Sequence, residues 1–171
     1  MLKAGLPPVW RDDASLLILG SLPGDASLAA SQYYAHPRNQ FWILMSDMTG
    51  VDLVPLDYQS RLKTLQSAGI ALWDVIAEAE RPGSLDQKIA NARANNLKEL
   101  VKSLPRLRAI AFNGKKAASL GATALYGIDI EFLALPSSSP AYTLGLEAKR
   151  RDWAVLAQYQ RPLELRFSNA I

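Results

Sequence analysis

The sequence predicts an α/β protein, a three-layer α/β/α sandwich around a central, mainly parallel four-stranded sheet. Two observations carry this. Short unbroken apolar runs recur along the chain, and segments with helical spacing lie between them, joined by turns rich in Gly and Pro. A strand covered by helices on both faces reads as a continuous apolar run rather than an alternation. The chain of 171 residues, about half of them apolar, suits one unit, so residues 1–171 are expected to form a single domain.

Taken in order, Leu16-Leu17-Ile18-Leu19 is the first buried strand, and Gly20, Pro23 and Gly24 end it. His36-Pro37 reads as N-cap and first helical residue, because proline suits the first turn of a helix. Phe41, Leu44, Met45 and Met48 then recur at helical spacing, and Gly50 closes that helix. A second helix runs from Gln59 to Ala68 and stops at Gly69. Ala71 to Ile76 is the second strand. Glu78 to Asn95 is polar and irregular, and reads equally as a functional loop or a plain surface connection. Asn96 to Leu104 is a helix stopped by Pro105, Ala109 to Phe112 a third strand, and Lys115 to Leu125 a helix. Ile128 to Leu135 is the fourth strand, stopped by Pro136, and Leu146 to Gln160 the last helix. Ligand sites in open α/β sheets lie beyond the carboxyl ends of the strands. Those ends are Gly20 to Asp25, the stretch after Ile76, Asn113-Gly114-Lys115, and Pro136 to Tyr142.

Composition excludes several chemistries. There is no cysteine and one histidine, His36. Disulfides, thiolate nucleophiles, iron–sulfur clusters and histidine-rich metal sites are therefore not expected. Carboxylate-bound magnesium stays open, although no paired Asp/Glu cluster suggests it. No metal and no cofactor are expected. No apolar run approaches the ~20 residues that span a bilayer, and no signal-peptide pattern opens the chain, so a cytoplasmic protein without membrane contact is expected. The net charge of +3 and pI near 9.2 are mildly basic. Lys98, Lys102, Arg106, Arg108, Lys115 and Lys116 crowd one stretch, and Lys149, Arg150 and Arg151 form a run. Such runs read either as solvated helix faces or as contacts to a polyanion.

Three segments together resemble the uracil-DNA glycosylase superfamily. They are Gly20-Ser21-Leu22-Pro23-Gly24, Tyr33-Tyr34-Ala35-His36-Pro37-Arg38-Asn39-Gln40-Phe41-Trp42, and Leu135-Pro136-Ser137-Ser138-Ser139-Pro140. Phe112-Asn113-Gly114-Lys115 resembles a minor motif after the third strand. The likeness runs from about Leu16 to Gln160, and the middle segment is its most specific part. The Gly-Ser-Leu-Pro-Gly form, the Tyr33-Tyr34 pair and Gly83-Ser84-Leu85-Asp86 are most similar to the hypoxanthine-DNA glycosylase branch, which is related to the mismatch-specific uracil/thymine branch. Two positions depart from other branches. Leu22 stands where classical uracil enzymes carry aspartate and mismatch-specific ones asparagine, and Leu135 stands where classical enzymes carry histidine. Neither leucine can orient water or donate a hydrogen bond to a departing base.

The resemblance implies a monofunctional DNA glycosylase that flips a deaminated base, hypoxanthine and uracil being the candidates, and hydrolyses its N-glycosidic bond by water attack at C1′. An abasic site would remain, and the partner would be DNA bound by a monomer. The alternatives are a nucleic-acid-binding protein of this fold with impaired catalysis, and a hydrolase of free nucleosides. In the hypoxanthine branch the catalytic asparagine falls on Asn39; a capping role in a helix first turn is its structural alternative. Asp25 is the carboxylate nearest the first motif, either stabilising charge at the sugar or complementing a helix dipole. Gly20, Ser21, Leu22, Pro23, Gly24, Tyr34, Phe41 and Asn113 are expected to line the base pocket, Tyr34 as the stacking ring. Gly114, Lys115, Lys116, Ser137, Ser138, Ser139, Arg150 and Arg151 are expected to meet DNA, with Tyr142 filling the gap left by the flipped base.

Overall fold

A computed structural model describes residues 2–162. Its central sheet has four parallel strands in the order β3-β2-β6-β7: β2 Leu16–Gly20, β3 Ile70–Asp74, β6 Ala109–Asn113 and β7 Glu131–Leu135. Leu16 pairs with Ile70 on one side and Ala109 on the other, and Ala109 pairs with Glu131. Side chains alternate across a strand, so β2 feeds two cores at once. Leu16 and Ile18 pack with Phe41, Met45, Leu65 and Trp153 on one face. Leu17 and Leu19 pack with Leu97, Leu100, Phe112 and Ala117 on the other.

Helices cover both faces, as the apolar runs require. On the first side lie α2 (Phe41–Thr49), α3 (Tyr58–Ser67) and α6 (Leu146–Trp153), the last continued by a 3₁₀ segment at Ala154–Tyr159. The second side is covered by α4 (Leu97–Lys102) and α5 (Lys115–Ala124). Asp57 and Asn96 cap α3 and α4 by accepting from Ser60 N–H and Glu99 N–H.

Four expectations need correcting. The run from Ala71 to Ile76 is not one strand. β3 stops at Asp74, and Ile76 opens β4 (Ile76–Glu80) in a second, antiparallel sheet of order β1-β4-β5, with β1 at Leu2–Ala4 and β5 at Ala90–Ala94. The switch occurs because Val75 and Ile76 N–H groups donate to the Gly20 and Ser21 carbonyls, turning the chain across the end of β2. The segment from Glu78 to Asn95 is therefore largely a β-hairpin rather than a loop. β5 reads as irregular because it is exposed at every residue, with no apolar face to mark it. The helix expected from Pro37 begins at Phe41; residues 36–40 form turns, so Asn39 precedes the helix. Finally α1 (Asp25–Ala30) follows Gly24 and was not expected, and β7 begins at Glu131 rather than Ile128.

Gly121 sits inside α5 where the ring of Phe112 crosses the helix, and a Cβ there would collide with that ring. Gly121→Ala gains up to ~1 kcal/mol of helix propensity but overpacks a closed core, at a cost of about 1–3 kcal/mol. A net loss of stability is expected, read as a lower midpoint in urea unfolding with an unchanged slope.

Candidate active site

Three adjacent strands, β3, β2 and β6, end in Asp74, Gly20 and Asn113. Gly20 lies between the other two and has no side chain, which leaves a notch at the middle of the sheet's carboxyl edge. A Cβ at Gly20 would stand 2.5 Å from Asp74 Oδ1 and 3.3 Å from the Tyr34 hydroxyl. Two polar groups reaching in from outside thus line the notch. Tyr34 holds a left-handed backbone (φ 54°) and stacks on Phe41, with ring centroids 3.8 Å apart and planes at 19°. A left-handed non-glycine residue is strained, and it persists where the surroundings impose it.

The turns that replace the expected helix start hold Asn39 in place. Asn39 N–H donates to the His36 carbonyl at 2.9 Å, and Asn39 Oδ1 accepts from Phe41 N–H at 3.0 Å. His36 Nδ1 accepts from Arg38 N–H at 3.1 Å, which makes the histidine a turn residue. Gln40 N–H donates to the Ser138 carbonyl at 3.0 Å, tying this segment to the loop after β7. Ser138 is buried and locked to Asn113: Asn113 Nδ2 donates to Ser138 Oγ, and Ser138 N–H donates to Asn113 Oδ1, both at 2.9 Å. Gly114 is required by its φ of 101°, and its N–H donates to the Leu135 carbonyl at 3.0 Å.

Two buried cations fix the surrounding loops. Arg81 is 1 % exposed and donates to the carbonyls of Leu22, Pro23 and Gly83, clamping the turn after β2 to the hairpin. Lys149, also 1 % exposed, donates to the carbonyls of Ser139 and Tyr142, with the Tyr142 ring 5.5 Å away. Trp153 Nε1 donates to the Pro136 carbonyl at 2.9 Å. The loop 136–142 is therefore held from beneath, and Tyr142 stands exposed on it. Ser21 Oγ donates to Asp86 Oδ1 at 2.7 Å.

The structure gathers Gly20, Tyr34, Phe41, Asn113 and Ser138 at one place, with Asn39 linked through the Phe41 N–H. Leu22 and Leu135 are buried in apolar clusters with Ile76 and Trp153 respectively. Asp25 lies elsewhere: it is exposed, salt-bridged to Lys3 at 2.5 Å and 3.9 Å from Arg81. Arg150 is committed to Asp47 and Glu147 at 2.8 and 2.7 Å, whereas Lys115 and Arg151 are exposed. Sequence reasoning missed Asp74 and Arg81, and it gave Asp86 and Lys149 no part in holding the site. For Asp74 a signal existed, an acidic residue inside an otherwise apolar strand run. Among the described residues no group of three or more His, Asp or Glu could hold a metal ion.

Asp74 is the electrostatic centre of the notch. Burial above all, then the charge of Asp86, raises its pKa from 3.8 to about 7, against the pull of Arg81. Burial and Asp74 together push the Tyr34 hydroxyl upward, opposed by a hydrogen bond from Asn113, so it stays protonated. A carboxyl that holds its proton more tightly folded than unfolded loses stability as pH rises. The loss starts near the unfolded value of 3.8 and is complete above about 7. Asp74→Asn is therefore expected to stabilise the fold at pH 8 by up to ~4 kcal/mol and to make little difference near pH 4. Urea unfolding of both proteins at the two pH values checks this; an equal difference at both would refute it.

Comparisons with known proteins agree with this layout. The family model for the uracil DNA glycosylase superfamily matches residues 7–161. A hypoxanthine DNA glycosylase of Methanosarcina barkeri is 40 % identical over 154 residues, covering 90 % of this chain and 97 % of that protein. Another, from Methanosarcina acetivorans, is 38 % identical over 159 residues, covering 93 % of this chain and 100 % of that protein. A solution NMR structure from Methanosarcina acetivorans, provisionally named a uracil DNA glycosylase, superposes with a TM-score of 0.84 at 39 % identity, covering 92 % of this chain and 98 % of that one. With its motifs at the carboxyl ends of a four-stranded parallel sheet, this chain belongs to the uracil DNA glycosylase superfamily.

Proposed function

We propose that this protein is a monofunctional DNA glycosylase that releases deaminated bases, hypoxanthine foremost and uracil second, and leaves an abasic site. The observation that carries the reading is the braced ring of Tyr34 beside the side-chain-free notch at Gly20. A base swung out of the duplex needs a flat apolar surface, worth about 1–3 kcal/mol per base, and a polar floor for its edge. Phe41 backs one face of Tyr34, and Asp74 and Asn113 surround the notch. The two named hypoxanthine DNA glycosylases, similar over their whole lengths, support the choice of base.

Asn39 positions the attacking water in this reading. Its Oδ1 is fixed by Phe41 N–H, which orients the carboxamide and leaves the Nδ2 donors and a second Oδ1 lone pair for a water molecule. Glycosidic cleavage passes through an oxocarbenium-like state, so a well-placed weak nucleophile suffices. Ser137 and Ser139 line the loop that meets phosphates, Lys115 and Lys116 open α5 beside it, and Tyr142 fills the vacated stack. Asp25, held by Lys3, has the weaker claim to a role at the sugar. The protein would act on DNA as a cytoplasmic monomer without a cofactor; among the described residues no helix is long and apolar enough to cross a membrane.

Asn39→Ala is expected to lower single-turnover release of hypoxanthine from DNA by about 100-fold or more, since a lost water contact costs several kcal/mol in the barrier. The fold should lose only about 1 kcal/mol, the usual value of a local side-chain-to-backbone bond near a helix start. Release within threefold of the parent, with circular dichroism and DNA affinity unchanged, would show that Asn39 only shapes the turn. In the same assay Lys115→Ala with Lys116→Ala should weaken DNA binding and flatten its salt dependence, because fewer counterions are released.

A further inference from the structure

At the floor of the notch, Asp74 is 4 % exposed and its Oδ2 is buried without a hydrogen-bond partner among the described residues. Such an atom costs free energy, and its persistence calls for a use. The polar groups around it are already engaged. Asn113 is locked to Ser138 through both ends of its amide. Asp86 accepts from Ser21, and Arg81 spends its donors on three carbonyls. Asp74 keeps unused capacity at Oδ2, and its Oδ1 is the carboxyl atom nearest the place a Gly20 side chain would take.

We propose that Asp74 is a catalytic acid, delivering the proton on its buried carboxyl to the departing base as the glycosidic bond breaks. This rests on reading the chain as a glycosylase acting on hypoxanthine in DNA. A base stacked on the face of Tyr34 opposite Phe41, with its sugar outward, can turn its N7 edge toward the Tyr34 hydroxyl and the Asp74 carboxyl. The Tyr34 hydroxyl and the Asp74 carboxyl are the two groups that meet at Gly20. The C1′–N9 bond then breaks with its electron pair passing to the base, while the Asp74 proton moves to N7. Neutral hypoxanthine leaves. The water held by Asn39 forms the new C–O bond at C1′ and gives its proton to solvent, from which the Asp74 carboxylate is reprotonated. A purine departs poorly as an anion, so a positioned acid is worth about 100-fold or more.

The groups facing Asp74 are Tyr33 and Tyr34 from the segment before α2, and Arg81 and Asp86 from the hairpin turn. The tyrosines keep their protons through neutrality, and burial with Asp86 keeps Asp74 protonated up to about pH 7. Single-turnover release of hypoxanthine from DNA is measured for the parent, Asp74→Asn and His36→Gln between about pH 5.5 and about pH 9. The expected parent profile is level at low pH and falls about tenfold per unit above neutrality. Asp74→Asn should be slower by about 100-fold at low pH with no such limb, and His36→Gln should keep the limb. Circular dichroism and DNA affinity on the same preparations show that each variant is folded. A parent that releases hypoxanthine while Asp74→Asn matches it within threefold, or keeps its limb, overturns the role of Asp74 alone. A level parent profile overturns it too, without need of any variant. A parent that releases no hypoxanthine overturns the underlying reading, and the proposal with it.

Discussion

The missing side chain at Gly20 is the constraint on which the site depends. In the middle of a parallel sheet every neighbouring strand end is close, and any Cβ would stand 2.5 Å from the Asp74 carboxylate. Removing that one carbon lets two elements that are distant in sequence converge on the sheet edge. Asp74 arrives from β3, and Tyr34 arrives from the turns before α2. The close approach then explains the electrostatics, because the carboxyl is walled in by protein instead of water and holds its proton toward neutrality. It also explains why Tyr34 accepts a left-handed backbone, since its hydroxyl must reach the notch while its ring lies flat on Phe41.

Around that notch the loops are held by buried cations and not by regular structure. Arg81 and Lys149 each bond backbone carbonyls, and among the described residues neither has a carboxylate within close hydrogen-bonding distance. Burying a charge in this way is costly unless its donors are satisfied. Burial lowers the pKa of both groups, most simply read as the cost of leaving water. What the fold gains is loop rigidity on either side of the notch, together with positive charge beneath the surface that would face a phosphate backbone. A site that must receive an extruded nucleotide benefits from both, because positions fixed before binding need not be ordered during it.

The layers of the fold were legible because burial on both faces leaves an unmistakable mark, as in Leu16 to Leu19. The second sheet was not. β5 is exposed throughout and carries no periodic apolar signal, and β4 is fused in sequence to the end of β3. The helix start at Phe41 was misread because Pro37 is compatible with a first turn and equally with the turns it occupies. Motif resemblance singled out Tyr34, Phe41, Asn39 and Asn113, which the fold brings together, whereas Ser138, expected to meet DNA, is buried and bonded to Asn113. Asp74, Arg81 and Lys149 were hidden for one shared reason. Sequence marks a charged residue as solvent-facing by default, and only the tertiary fold shows that these three are enclosed.

The leucines at 22 and 135 acquire a physical meaning from the same geometry. Both are packed into apolar clusters, Leu22 against Ile76 and Ala79, Leu135 among the residues around Phe41 and Trp153. A polar side chain at either place would need a hydrogen-bond partner within a region that supplies almost none. In the proposed function the polar capacity lies instead at Asp74, on the strand beside β2, and at Asn39, in the turns before α2. A sheet edge offers several positions from which a side chain can reach the same point in space, because neighbouring strands stand only about 4.8 Å apart. Polar groups can therefore be redistributed along that edge while the stacking ring and the notch stay fixed. In this chain the site is a backbone opening with an aromatic wall, and the polar groups reach it from neighbouring strand ends and loops.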